Sequence, residues 1–170
     1  IQPMEVNSRV NGQFEKLEIV PEGGDGRYRI PGIINVKGKV GFEYHGYDLL
    51  NGAGNHCGIN YTKLYLDNEL MFEFNMDRFS FDEKKFINVH FDYGHYKRVG
   101  KKFQKSYLDN GNQLMSYQNL VDGGVIYLWD NAVHNIRLEL GDTYHNTTVV
   151  TAQIRKDAKA VWIPDNLNFS

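Results

Sequence analysis

The chain has a single cysteine, Cys57, and only four prolines among its 170 residues. One thiol excludes an internal disulfide, and it also excludes a zinc site built from several cysteines. The scarcity of proline beside 17 glycines favours strands that are joined by tight turns. Cys57 is therefore expected to have no structural role of its own.

Long hydrophobic runs and an excess of charge of one sign are also lacking. No stretch approaches the roughly 20 apolar residues that span a bilayer, so we expect no membrane insertion. The 19 basic and 21 acidic residues nearly cancel, which leaves no basic stripe for a phosphate backbone and excludes nucleic acid as a partner. The chain starts with Ile1-Gln2-Pro3 rather than a secretion signal, and we expect it to be part of a longer protein.

Alternation of apolar and polar residues is the main structural signal. Ile136, Leu138 and Leu140 alternate with polar neighbours, and a β-branched run follows at 147–154, which together predict a terminal hairpin. A second hairpin is predicted at 60–76, with its turn at Asp67-Asn68. Five further strands are indicated, at 17–20, 28–30, 40–45, 114–117 and 125–128.

Many short strands bounded by turns predict an all-β fold. We expect an immunoglobulin-like antiparallel β-sandwich with an inserted aromatic-rich loop that carries a short helix. Residues 1–35 are predicted to form an N-terminal arm and edge strands, 36–157 the sandwich, and 158–170 a C-terminal arm that is cut short. The predicted core contains Leu64, Phe72, Ile136 and Leu138.

One long segment, residues 79–106, has no sustained alternation and is dense in aromatic and charged side chains. Asp92 within it is suited to cap one or two helical turns. Long irregular segments in compact domains are usually functional, and aromatic anchors inside a charged rim are typical of interfaces. We predict an interaction surface that consists of Phe79, Phe81, Tyr93, His95, Tyr96, Arg98, Phe103 and Tyr107.

No group of residues has the spacing of a catalytic or metal site. His45 and Asp48 are placed like a metal-binding pair, but no His-x-His follows, and a catalytic zinc needs three protein ligands. His90, Asp92 and His95 are a weaker candidate for a metal site or a general base. We predict no catalytic residue, no metal and no cofactor in this chain.

Three further patterns suggest other functions. Adjacent His56 and Cys57 point apart in an extended chain, which disfavours a cysteine nucleophile, and the glycine-rich run 51–55 lacks the lysine and helix of a phosphate loop. Carbohydrate binding is the alternative function, because sugar-binding sandwiches present exposed aromatic faces. The candidate residues for such a face are Tyr93, Tyr96, Phe103, Tyr107 and Trp129.

A series of short motifs runs in order from Lys39 to Ile154. They are Tyr47-Asp48, Asn51-Gly52, Gly58-Ile59, the run 64–67, the run 76–82, Ile87-Asn88, Asp92-Tyr93, the run 96–98, the run 104–107, the run 124–126 and His134. In this order the chain resembles a domain that accompanies the zinc catalytic domain in lysostaphin/LytM-type peptidases of Gram-negative bacteria. The runs 77–82 and 92–98 are the most specific part of the resemblance.

The resemblance implies a context rather than an activity. The catalytic motifs of these peptidases have no counterpart here, so the chain itself is expected not to be an enzyme, while its full-length parent is expected to be a zinc metalloendopeptidase acting on peptidoglycan. The implied partner is the catalytic domain of that parent, with peptidoglycan as a second partner. The implied location is extracytoplasmic, in the periplasm or cell envelope.

Overall fold

The computed structural model describes residues 1–46, 48–49, 56–57, 59, 61–75, 91–109, 117–118, 120–141 and 146–158, with backbone alone at 48–49 and 56–57. This part of the chain is mostly β-strand. The strands are β1 (Gln2–Pro3), β2 (Arg9–Val10), β3 (Glu22–Gly24), β4 (Arg27–Lys37), β5 (Val40–Gly41), β6 (Glu43–Tyr44), β7 (Asp48–Leu49), β8 (His56–Cys57), β9 (Tyr61–Leu66), β10 (Glu69–Asn75), β11 (Gln104–Lys105), β12 (Tyr117–Gln118), β13 (Val133–Gly141) and β14 (Thr147–Lys156). The helix α1 spans Tyr93–Val99, and a 3-10 helix spans Asp122–Gly124.

Eight of these strands form one large sheet. Its order is β12-β10-β9-β13-β14-β4-β2, and β3 also pairs with β4. Among the described strands every pairing is antiparallel except that of β14 with β4, which is parallel. The predicted all-β class with antiparallel sheets is confirmed, and the parallel pair is an addition to it. The domain boundary predicted at 35/36 falls inside β4 and stays a prediction.

Both predicted hairpins are confirmed. The β9–β10 turn has positive φ at Asp67 (47°) and Asn68 (71°), the two positions at which a type I′ turn requires it. The β13–β14 pair runs without interruption from Val133↔Arg155 to Gly141↔Thr147. One detail differs, since a register shift after Leu70 turns Met71 as well as Phe72 into the core.

The core lies on one face of the large sheet. Ile136 and Leu138 pair with Leu66 and Leu64 of the neighbouring strand, and all four predicted core residues are buried. The segment 40–44 supplies Val40, Phe42 and Tyr44 to the same core cluster, and Val40 also bridges to Ile126. The opposite face is polar, with Lys63 paired to Glu73 at 3.5 Å and the Arg137 guanidinium 3.7 Å from the Tyr65 ring centre. One face of the sheet is therefore apolar and packs in the core, and the other face is polar.

Two weaker strand predictions were wrong. Residues 17–20 do not form a strand; Leu17 exchanges two main-chain hydrogen bonds with Ile1, and Leu17 and Ile19 pack against the core. Residues 125–128 contribute only the isolated bridge from Ile126. The strand at 28–30 is confirmed as part of the longer β4, and residues 114–116 lie outside the described chain.

Candidate interaction surface

The helix α1 has a defined start and end. Asp92 is its N-cap, and its Oδ1 accepts the backbone N–H of His95 at 2.9 Å. Gly100 ends the helix in the left-handed region, with φ of 73°, and its N–H donates to the Tyr96 carbonyl at 2.8 Å. The cap predicted at Asp92 is thus confirmed. A helix of seven residues is not stable by itself, so its contacts with the rest of the domain must hold it.

His95 attaches the helix to the domain. Its side chain is 9% exposed, and Nε2 lies 2.6 Å from Oε1 of Glu18, within hydrogen-bonding distance. Its ring meets the Phe103 ring edge-on, with centroids 5.1 Å apart, and Phe103 also contacts the His45 ring. Although desolvation opposes ionisation, the His95 hydrogen bond and the nearby Lys101 charge lower the pKa of Glu18. The helix is therefore fixed to the segment that contains Glu18.

A buried ionic cluster lies at the start of the helix. The Lys16 ammonium donates to Glu43 Oε2 at 2.5 Å and to the Asp92 carboxylate, and the Lys16 and Glu43 side chains are 7% and 1% exposed. Glu43 Oε1 also accepts the Tyr107 hydroxyl at 2.6 Å. Burial and the adjacent Glu43 charge raise the pKa of the Tyr107 hydroxyl, so it is a donor at neutral pH. Four parts of the chain, at residues 16, 43, 92 and 107, converge on this cluster.

The outer side of the helix carries two tyrosines, each with a cation over its ring. Tyr93 is 58% exposed and Tyr96 is 37% exposed. The Lys97 ammonium lies 5.0 Å from the Tyr93 ring centre, and the Lys102 ammonium lies 5.4 Å from the Tyr96 ring centre. Arg98 is exposed beside them. These five residues, Tyr93, Tyr96, Lys97, Arg98 and Lys102, are called the helix surface below.

The predicted interaction residues separate into three groups. Tyr93, Tyr96 and Arg98 are exposed, while Phe103 is half-buried. His95 and Tyr107 are buried, and each is bonded to a carboxylate, His95 to Glu18 and Tyr107 to Glu43, so they support the surface instead of contributing contact area. Phe79 and Phe81 lie outside the described residues.

The supporting residues Lys16, Glu18 and Glu43 were missed from the sequence. Their partners lie far along the chain: Asp92 is 76 positions after Lys16, and His95 is 77 positions after Glu18. No short motif joins residues at such separations. Only the folded chain brings them together.

The other candidate groups are described only in part. His45 Nδ1 is 2.8 Å from the Lys102 carbonyl, and its ring packs on Phe103. His90 and the side chains of Asp48, His56 and Cys57 lie outside the described part. Within the described residues no group of three or more His, Cys, Asp or Glu side chains is arranged to hold a metal ion. No described helix has the length and apolar character needed to cross a membrane.

A cavity of about 520 Å³ lies between the large sheet and the segment 17–21. Its walls are mostly apolar, with Ile19, Ile30 and Leu138 among them. Three polar residues on its boundary are Glu18, His45 and Lys101. Glu18 is bonded to His95 of α1 and pairs with Lys101, and His45 is bonded to the carbonyl of Lys102 just after α1. Residues that line the cavity thus also take part in the contacts around the helix.

A second exposed aromatic group precedes β13. Trp129 is 83% exposed and Tyr127 is 37% exposed, and their rings meet edge-on with centroids 4.5 Å apart. Trp129 was a predicted member of a sugar-binding face, whereas Tyr127 was not. Comparison of the chain with protein-family models, with curated proteins and with solved structures found no match.

Proposed function

We propose that this chain is a non-catalytic accessory domain of an extracytoplasmic, cell-wall zinc metallopeptidase, and that its helix surface docks on a neighbouring domain of that protein. The observation that carries the docking proposal is the pair of exposed tyrosines on a short helix whose base is held by buried ionic contacts. The peptidase context rests on the ordered motifs between Lys39 and Ile154.

The strand order supports an immunoglobulin-like arrangement. In one sheet of that fold the last strand lies beside the penultimate strand, and the penultimate strand lies beside the third strand. The third strand in turn pairs with its hairpin partner. The neighbouring strands β14, β13, β9 and β10 have this order. The segment 40–44 packs its apolar side chains on the same core, where the second layer of a sandwich would lie.

The chemistry of the helix surface supports docking. Tyrosine and arginine are enriched among the residues that dominate binding energy at protein interfaces. Tyr93 and Tyr96 offer apolar rings, and Lys97, Arg98 and Lys102 surround them with positive charge. Because Asp92 and His95 already fix the helix, little conformational entropy is lost when a partner binds. The charge of this surface favours an acidic patch on the partner.

Limited trypsin digestion tests the docking proposal. The chain should be cut after Lys97, Arg98 or Lys102 when it is isolated, and these sites should be protected when it is joined to the catalytic domain of its parent. The double variant Tyr93→Ala/Tyr96→Ala should restore cleavage in the joined protein, because it removes both aromatic anchors. Trp129→Ala, an exposed aromatic change on a different element, is the matched control and should leave the protection intact.

Equal protection of the helix in the isolated and joined chains would contradict docking. The peptidase context is tested separately by the coding sequence upstream of Ile1. It should encode a His…Asp pair and a downstream His-x-His, the ligands of a catalytic zinc. Their absence from the full-length protein would remove the peptidase context without bearing on the docking surface.

A further inference from the structure

The chain alternates strictly between buried and exposed side chains at residues 126–129. Ile126 and Leu128 are 0% and 4% exposed, whereas Tyr127 and Trp129 face outward. The two buried residues anchor the backbone in the core, so the indole cannot turn inward without pulling them out. A tryptophan side chain is among the largest apolar groups that a protein can bury, and this one remains 83% exposed.

The backbone around the indole is held in place by hydrogen bonds. Asp130 Oδ1 accepts the Ala132 N–H at 2.8 Å and lies 2.9 Å from His134 Nε2. The Lys156 ammonium donates to the Trp129 carbonyl at 3.2 Å. Residues 127–132 are therefore pre-organised, and a ligand that stacks on Trp129 would not have to order them.

Two charged side chains, those of Asp130 and Lys156, lie at the backbone that carries the indole. The Asp130 side chain is 65% exposed, and Lys156 reaches the Trp129 backbone from β14. An exposed flat apolar ring, with a carboxylate and an ammonium at the backbone that carries it, suits a pyranose, which has one face of C–H groups and a rim of hydroxyls. The C–H face would pack on the indole, while the hydroxyls would donate to Asp130 and accept from Lys156.

We propose that Trp129, Tyr127, Asp130 and Lys156 form a binding site for a pyranose unit of an oligosaccharide. This site lies on different elements from the helix surface, and it does not depend on the docking proposal. A domain with both sites would hold a glycan through Trp129 while its helix contacts another domain.

The test is a titration of the ¹⁵N-labelled chain with chitotetraose and, in parallel, with cellotetraose. The amide of Ala132 and the indole N–H of Trp129 should shift and saturate, with a Kd on the order of 1 mM or below. Stronger binding of chitotetraose would show that the acetamido group is recognised, and equal binding would show that ring stacking suffices. Trp129→Ala should weaken binding by about tenfold or more, whereas Trp129→Phe should retain part of it.

Tyr93→Ala is the matched control, because it removes an exposed aromatic ring from the helix surface and should leave the sugar titration unchanged. Since Trp129 is largely exposed, its truncation should leave the thermal melt unaltered, and this checks that the variant is folded. The proposal is overturned if neither sugar shifts these signals at about 10 mM, ten times the expected Kd. An Ala132 shift that saturates with an unchanged Kd in Trp129→Ala would also overturn it.

Discussion

His134 is held between two carboxylates from different parts of the chain. Its Nδ1 lies 2.6 Å from Asp67 in the β9–β10 turn, and its Nε2 lies 2.9 Å from Asp130. The hydrogen bond to Asp67 raises the pKa of His134 most, desolvation opposes it, and Asp130 adds to the rise. Both ring nitrogens can donate only when the imidazole is protonated. The doubly bonded state is therefore the charged one.

The raised pKa of His134 predicts a pH-dependent contribution to stability. The contribution is fully present below the unfolded pKa of about 6.5, and it is lost as pH rises through the higher folded value. The difference in free energy of unfolding between the native chain and His134→Gln should therefore be larger at acidic than at alkaline pH. Urea unfolding across this range measures it, and a difference that is independent of pH would show that His134 acts only through packing.

At the scale of elements, α1 depends on Asp92 in two ways. The carboxylate caps the helix through the His95 N–H, and it also accepts from the Lys16 ammonium. Desolvation tends to raise the pKa of Asp92, but these hydrogen bonds outweigh it and lower the pKa. The resulting stabilisation is present above the ordinary pKa near 3.9 and is lost as pH falls through the lower folded value.

Replacement of Asp92 should loosen the helix in steps. Asp92→Ala removes the cap, which costs about 0.5–2 kcal/mol, and it also removes one partner of Lys16. Asp92→Asn keeps a capping oxygen but loses the charge, so we expect a smaller loss. Hydrogen exchange of the Tyr96 and Gly100 amides, both bonded within this helix, is the measurement. Equal exchange in the two variants would show that capping contributes nothing here.

At the scale of the whole molecule, Lys16 joins the N-terminal segment to β6 and to the start of α1. Its ammonium is buried between Glu43 and Asp92, and it lies 5.4 Å from the Phe103 ring centre. Glu43 is almost fully enclosed, and its carboxylate is bonded to Lys16 and to the Tyr107 hydroxyl. Removal of one partner from a buried pair leaves a charge without compensation.

Lys16→Met should accordingly lower the free energy of unfolding by about 3–5 kcal/mol. The matched control is Lys39→Met, because Lys39 makes a 2.8 Å ion pair with Glu5 in which both side chains are about half exposed. An exposed pair is screened by water and contributes little to stability, so this variant should be nearly neutral. Chemical denaturation of the two variants is the comparison. If Lys16→Met were as stable as Lys39→Met, water would reach the buried cluster and screen its charges.

The sequence by itself determined the features that depend on neighbours along the chain. The two hairpins follow from period-two alternation and from Asp67-Asn68, which tolerate positive φ. The helix cap follows from Asp92, because a cap and the N–H it accepts are three residues apart. Alternation also identified Ile136 and Leu138 as core residues, since one face of a half-buried strand must be apolar.

Only the tertiary structure decided the features that join distant parts of the chain. The parallel pairing of β4 with β14 connects residues more than 100 positions apart, and no local pattern specifies it. The same holds for Lys16 with Asp92 and for His95 with Glu18. Tyr107 was predicted to be a contact residue but is buried, whereas Trp129 is exposed, because an aromatic side chain suits a core and a surface site alike, and its neighbours in space settle which one it occupies.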